Sequence, residues 1–129
     1  MAAQLDGAGM AKMKTLDDSL AQVQHLHGIV ERMAVAIRAN QPTQLFGAQL
    51  RRAGTPLVGL LKGQFGLISD QVVALLLVAT RGGNEQTKLR ALREGVAQLR
   101  TQLEIAVTRV KERHATDDGA KGEAPDVVA

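Results

Sequence analysis

The chain has 129 residues, of which 45% are hydrophobic, and this length suits a single domain with a modest core. It contains no cysteine, so disulfides, thiolate chemistry and cysteine-ligated metals are excluded. Only two residues are aromatic, both Phe, and an aliphatic core favours helix packing over a β-sandwich. The net charge of +3 is uneven, because residues 42–114 hold eleven Lys and Arg against five acids and residues 115–129 hold four acids and one Lys. A basic body with an acidic tail suggests a polyanionic partner, although basic surfaces also serve solubility.

Both ends of the chain lack helical periodicity. Residues 1–14 are small and Gly-containing, residues 115–129 are polar and Gly-rich, and we expect both segments to be disordered around a domain at residues 15–114. The N-terminus lacks the apolar stretch of a secretory signal. The longest apolar run, Val72 to Ala79, has eight residues and is too short to cross a bilayer as a helix. We therefore expect a cytoplasmic protein.

The first two predicted helices meet at Pro42. Thr15 is a suitable N-cap, and apolar residues then recur every three or four positions from Leu16 to Ile37. This helix should end near residue 40, because Pro42 disfavours a helical conformation in the residue before it and is well placed to open the next helix. The second apolar stripe runs to Leu61. Pro56 lies inside it and should kink this helix or split it into two.

The third predicted helix is apolar on all sides. Ser69 is its expected N-cap, and the run "VVALLLVA" also fits a buried strand, although nothing else in the chain offers a strand to pair with. A helix without a polar face must be covered all round, so we expect a homo-oligomer, with loops and tails as the alternative cover. The expected interface residues are Val72, Val73, Leu76 and Leu77.

The last predicted helix carries the clearest pattern in the sequence. Gly82-Gly83 should end the third helix and Asn84 should cap the fourth. Apolar residues then recur with alternating spacings of three and four at Leu89, Leu92, Val96, Leu99, Leu103, Ala106 and Val110. This pattern predicts a helix of about 30 residues that packs lengthwise along a neighbour. The expected fold is an all-α, antiparallel four-helix bundle.

A search for catalytic chemistry is negative. His25 and His27 are two residues apart, so on a helix they point in different directions and cannot share a metal. His114 falls in a last helical turn, where a cation is favourable. The sequence has no phosphate loop, serine elbow or Cys/His arrangement. We therefore predict no enzyme activity, no catalytic residue, no metal and no cofactor.

Several cations are not fully matched by acids at helical spacing. Arg51 and Arg52 are adjacent with no acid nearby, and Arg93 has no acid four residues later, whereas Arg100 can partly pair with Glu104. Arg93 and Arg100 are seven apart and share a face, and Arg109 is loosely matched. Such residues can neutralise backbone phosphates without aromatic stacking, whereas the lack of aromatics argues against stacking-based single-strand readout. The predicted nucleic-acid-binding residues are Arg51, Arg52, Lys62, Arg93, Arg100 and Arg109. The alternative is a solvated face that keeps a Leu-rich bundle soluble.

Two segments carry a resemblance to a known family. The second helix contains "FGAQLRRAG" from Phe46, and the last helix reads "LRALREGVAQLRTQLEIAVTRVKER" from Leu89. Across about residues 16–113 the chain resembles the accessory variability determinants of diversity-generating retroelements, which are related to the four-helix-bundle proteins encoded in ribosomal RNA intervening sequences. The resemblance implies a barrel-like pentamer with a basic surface and no catalytic activity. It also implies association with a reverse transcriptase and its template RNA, in support of adenine-mutagenic cDNA synthesis.

Two other functions fit the same residues. One is a helical adaptor or scaffold that binds only protein, and the other is a plasmid-mobilisation accessory protein. A neighbouring reverse transcriptase gene would favour the retroelement function, whereas a neighbouring relaxase gene would favour mobilisation.

Overall fold

The computed structural model describes residues 5–114, which form four α-helices joined by short connections. They are α1 (Gly7–Arg38), α2 (Gln44–Lys62), α3 (Gly66–Thr80) and α4 (Glu85–His114). The all-helical prediction is confirmed for this part of the chain. None of these helices is both long and apolar enough to cross a membrane.

Helix α1 begins earlier than predicted. The Asp6 carboxylate accepts a hydrogen bond from the Gly9 N–H at 2.7 Å and so caps a helix that starts at Gly7 rather than at Thr15. Residues 7–14 are therefore helical, and the prediction of disorder is wrong for them. This first turn is held by the end of α4, because the Asp6 N–H donates to the His114 carbonyl at 3.0 Å. Residues 1–4 and the predicted tail at 115–129 lie outside the described residues.

Helix α2 runs without a break through Pro56. Of the two predicted outcomes, a kink or a split, the split is therefore wrong, although a proline inside a helix removes a backbone hydrogen bond. Its core face continues on both sides of the proline, with Leu50, Leu57 and Leu61 buried. Pro56 itself is exposed, so the freed carbonyl one turn earlier lies on the solvent side. Burial of three leucines offsets the lost hydrogen bond.

Helix α3 starts at Gly66, three residues before its predicted cap. Ser69 is buried inside the helix, and its hydroxyl donates to the Val58 carbonyl of α2 at 3.2 Å. The prediction that Ser69 is the N-cap is therefore wrong, because this hydroxyl joins two helices instead. The apolar run is not covered on all sides either. Val72 and Leu75 are buried, whereas Val73 and Leu77 are exposed.

Helix α4 agrees with its prediction in length, cap and buried face. It has 30 residues, and the Asn84 side-chain oxygen accepts from the Thr87 N–H at 3.0 Å. All seven residues of the predicted stripe from Leu89 to Val110 are buried. Gly83, in the turn before it, has a φ of 125°, a left-handed conformation that glycine adopts without a steric penalty.

The four helices form a closed ring around one aliphatic core. Each helix packs against the next in the chain and α4 packs against α1, whereas the diagonal pairs α1/α3 and α2/α4 make no close backbone contact within residues 5–114. Both phenylalanines, Phe46 and Phe65, pack at the edge of the core rather than inside it. The middle of the bundle is therefore built from Leu, Val, Ile, Met and Ala.

Helices α2 and α3 approach closely at two glycines. A Cβ atom added to Gly47 would lie 2.8 Å from the Ala79 carbonyl oxygen, and one added to Gly54 would lie 2.6 Å from a Leu76 methyl. Gly47 meets backbone, which cannot move aside as a side chain can. The axial position of α3 against α2 therefore depends on the absence of a side chain at Gly47.

We predict opposite effects of alanine at two α2 glycines. Gly59 has no atom within 4 Å of an added Cβ, so Gly59→Ala should stabilise the fold by about 1 kcal/mol through helix propensity. Gly47→Ala should destabilise it by about 1–2 kcal/mol, because the clash outweighs the same gain. Urea unfolding followed by circular dichroism measures both. Equal stabilisation by the two substitutions would contradict the close approach.

Candidate nucleic-acid interface

The six predicted nucleic-acid-binding residues do not lie on one surface. Arg93 and Arg100 lie where α4 meets α1, and Arg51 and Arg52 line a cleft at one end of the bundle. Lys62 lines a groove between α2 and α3, and Arg109 lies near the end of α4. Arg51 and Arg52 share their cleft with Arg81 and Lys88, whereas Arg109 lines a separate hollow with Lys12 and Arg113.

Arg93 is paired with an acid of another helix. Its Nε and one terminal nitrogen donate to the two carboxylate oxygens of Glu31, each at 2.9 Å. This bond is the main reason that the pKa of Glu31 lies below, and that of Arg93 above, its ordinary value. Arg100 donates to the Gln24 side-chain oxygen at 2.7 Å. Neither partner is evident from helical spacing, because Glu31 and Gln24 lie on α1 and the two arginines lie on α4.

The basic cleft is built by three elements at one end of the bundle. It is a hollow of about 660 Å³ between the first half of α2, the end of α3 and the start of α4. We use the name basic cleft for the site formed by its four cations, Arg51, Arg52, Arg81 and Lys88. The first three are exposed and Lys88 is half-buried. Within residues 5–114, none of the four has a carboxylate within 4.0 Å.

One acid lines the basic cleft, and it already has a partner. The Thr43 hydroxyl donates to the Glu85 carboxylate, which ties the start of α2 to the start of α4. Glu85 also lies in the first turn of α4, where the helix dipole favours a negative charge. Four cations against this one carboxylate leave the cleft with an excess of positive charge.

Two cleft residues, Arg81 and Lys88, were not selected from the sequence. Arg81 directly precedes the Gly82-Gly83 turn, and Lys88 lies in the first turn of α4. The close approach of Gly47 to Ala79 places the end of α3 beside the first turns of α2. That contact brings Arg81 to the same cleft as Arg51. Helical spacing within one segment does not indicate that Arg81 and Arg51 lie close together.

The predicted oligomer interface does not form one exposed face. Val72 is fully buried in the core of the single chain, and Leu76 is half-buried. Val73 and Leu77 are 42% and 59% exposed. Because Val72 is fully buried within the single chain, it cannot contact another copy, and its assignment to the interface is corrected.

A polar cluster joins the two ends of the chain's described part. The Asp6 carboxylate lies 3.2 Å from His114 Nδ1, and Lys12 Nζ lies 3.2 Å from His114 Nε2. Both bonds form together when the neutral imidazole carries its proton on Nδ1, because Nε2 then accepts from the ammonium. Gly9 lies directly against the His114 side chain. His114 therefore closes α4 onto α1, a role beyond the helix-end charge expected from the sequence.

The other two histidines lie on α1. His25 is exposed and His27 is half-buried. Within the part of the chain that the structure describes, no group of three or more His, Asp or Glu side chains could hold a metal ion.

Comparison with known proteins adds no family. No protein-family model, no curated protein and no solved structure matches the chain.

We predict that Asp6 makes stability dependent on acidic pH. The Gly9 N–H, together with the nearby His114 and Lys12, lowers the pKa of Asp6 below its ordinary value of 3.8. A carboxyl with a lowered folded pKa stabilises the fold above the unfolded value, and this contribution disappears as the pH falls through the folded value. The stability difference between wild type and Asp6→Asn should therefore be present at neutral pH, decline as the pH falls below 3.8 and be lost once the pH is below the folded pKa. Asp17→Asn, on the exposed face of α1, is the matched control, and equal pH dependence of both variants would contradict the assignment.

Proposed function

We propose that this protein is a non-catalytic accessory protein that binds nucleic acid through the basic cleft. The observation that carries the proposal is the convergence of Arg51, Arg52, Arg81 and Lys88 on one hollow whose lining acid is already engaged. Phosphate contacts are made by such cations, and guanidinium groups bind phosphate oxygens in pairs.

The lining of the cleft suits backbone recognition rather than base recognition. No aromatic side chain lines it, so bases have no ring on which to stack. A site of this kind accepts template RNA and cDNA alike, because both carry one negative charge on each backbone phosphate and phosphate contacts do not read the bases. We therefore propose that binding depends on charge and salt and only weakly on sequence.

The resemblance supplies the biological setting of the proposal. It supports a partnership with a reverse transcriptase and its template RNA during mutagenic cDNA synthesis in the cytoplasm. The segment that carries the resemblance in α2, "FGAQLRRAG", contributes Arg51 and Arg52 to the basic cleft. A protein-only adaptor would need these cations only for solubility or for pairing with an acidic partner, and neither role requires four of them in one cleft.

We infer further that the four helices are antiparallel. Asp6 at the start of α1 contacts His114 at the end of α4, whereas Glu31 near the end of α1 contacts Arg93 near the start of α4. Gly47 in the first turn of α2 likewise meets Ala79 near the end of α3. Short connections favour this arrangement.

We predict that alanine at Arg52 and Arg81 together weakens RNA binding and its salt dependence. For a single strand the logarithm of affinity falls with the logarithm of salt concentration by about 0.7 for each phosphate neutralised, so losing two contacts should reduce this slope by about 1.4. Fluorescence anisotropy of a labelled single-stranded RNA, titrated between about 50 and 200 mM salt, measures the slope. Arg90→Ala with Lys111→Ala removes the same charge outside the cleft and serves as the control.

A third double variant distinguishes binding at the basic cleft from binding at the two α4 arginines that were predicted from the sequence. Arg93→Ala with Arg100→Ala should reduce binding far less than the cleft variant, because Glu31 and Gln24 already hold these side chains. An equal loss in all three double variants would show diffuse electrostatic binding and reject the cleft. Binding that ignores salt would reject phosphate recognition altogether.

The pentamer implied by the resemblance remains part of the proposal. Its support is the resemblance alone, because the core of the single chain already covers Val72 and Leu75. We expect light scattering at micromolar concentration to give five times the chain mass of 13.7 kDa. The mass of a single chain at that concentration would reject the pentamer.

A further inference from the structure

The outer faces of α2 and α3 enclose an apolar groove that adjoins the basic cleft and shares Arg51, Thr55 and Thr80 with it. Its apolar lining is Val58 of α2 with Val73, Leu76 and Leu77 of α3. The volume of the groove is about 540 Å³. Two of the eight exposed large hydrophobic residues within residues 5–114, Val73 and Leu77, line this groove.

The threonines of the groove add little polarity to it. The Thr55 hydroxyl donates to the Arg51 carbonyl at 2.8 Å, and the Thr80 hydroxyl donates to the Leu76 carbonyl at 3.2 Å. Both hydroxyls are thus satisfied within their own helices and require no polar partner from a ligand. Gly59 leaves open space, with no atom within 4 Å of an added Cβ. A bulky apolar side chain can therefore enter here without displacing a polar contact.

Two cations mark the ends of the groove. Arg51 and Lys62 are the charged residues that line it, and within the described residues neither has a carboxylate within 4.0 Å. They are eleven positions apart on α2, which corresponds to about 16 Å along the helix, or three turns. This length matches an amphipathic helix that places apolar side chains at three- and four-residue spacing into a groove.

We propose that the α2–α3 groove binds an amphipathic helix of a partner protein whose apolar stripe is flanked by carboxylates. Carboxylates at the two ends of that helix pair with Arg51 and Lys62, and its apolar side chains cover Val73 and Leu77. This assignment replaces the predicted use of α3 for self-association. It does not rest on nucleic-acid binding at the basic cleft.

A second copy of the chain is a poorer occupant of this groove. The charged residues lining it are both cations, so two copies meeting groove to groove bring like charges together. The apolar stripes of α1 and α4 are buried in the core, and these helices expose only the separated side chains Met10, Val35 and Ile105. Neither therefore offers the stripe that the groove requires.

A pair of synthetic helical peptides tests the proposal. Both carry the same leucine stripe, one flanked by glutamates and the other by lysines, and each is titrated into the full-length protein while its leucine and valine methyl signals are followed by NMR. The glutamate peptide should shift the methyl signals of Val73, Leu76 and Leu77 and bind at least about fivefold more tightly than the lysine peptide.

Three variants make the test specific. Lys62→Glu should weaken the glutamate peptide about fivefold and strengthen the lysine peptide, a reversal that misfolding cannot produce. Leu77→Ser should weaken both peptides about tenfold. Val35→Ser, at a residue 54% exposed on α1 against 59% for Leu77, is the matched control and should change neither affinity.

The same measurements can overturn the proposal. Equal affinity for the two peptides, or no shift of the groove methyls, would reject a site for an acidic helix. If the Leu77→Ser variant had a lower mass than the wild-type protein in light scattering, a second copy would be the occupant of the groove. If the variant and the wild-type protein have the same mass, the assignment is supported, because any self-association then uses another surface.

Discussion

The structure depends on the burial of one aliphatic stripe along α4. Seven residues from Leu89 to Val110 are buried, and they need neighbouring helices along nearly the whole length of α4. Helices α1 and α3 supply those neighbours, and α2 completes the ring. The stripe contains no polar side chain, and the two buried serines, Ser19 and Ser69, donate to backbone carbonyls. Within residues 5–114 every charged side chain lies at least partly at the surface.

The pairing of surface charges differs between parts of the bundle, because different helices pack together in each. Where α1 and α4 pack side by side, Glu31 neutralises Arg93, and this side of the bundle carries cross-helix pairs. Where α2, α3 and α4 meet at one end, Glu85 bonds to Thr43 and leaves the nearby cations without an acid. The proposed phosphate binding therefore depends on which cations lack an acidic partner and not on the total number of cations in the chain.

Arg51 connects the two proposed sites. It lines the basic cleft on one side and the α2–α3 groove on the other. A partner helix that pairs with Arg51 would remove one cation from the cleft, so protein and nucleic acid are expected to compete in part for this side chain. Arg52 and Lys62 each line only one of the two sites. These two residues therefore allow the sites to be perturbed separately.

The sequence by itself determined the four helices, the aliphatic core and the whole of α4, including its Asn84 cap, because helical periodicity and capping are local properties of the chain. It did not determine which cations stay unpaired, since Arg93 and Glu31 are 62 positions apart and Asp6 and His114 are 108 apart. Those side-chain contacts depend on the rotation and axial position of each helix against its neighbour. Packing across the core decides both, as Gly47 against Ala79 illustrates, and only the tertiary structure reveals the result.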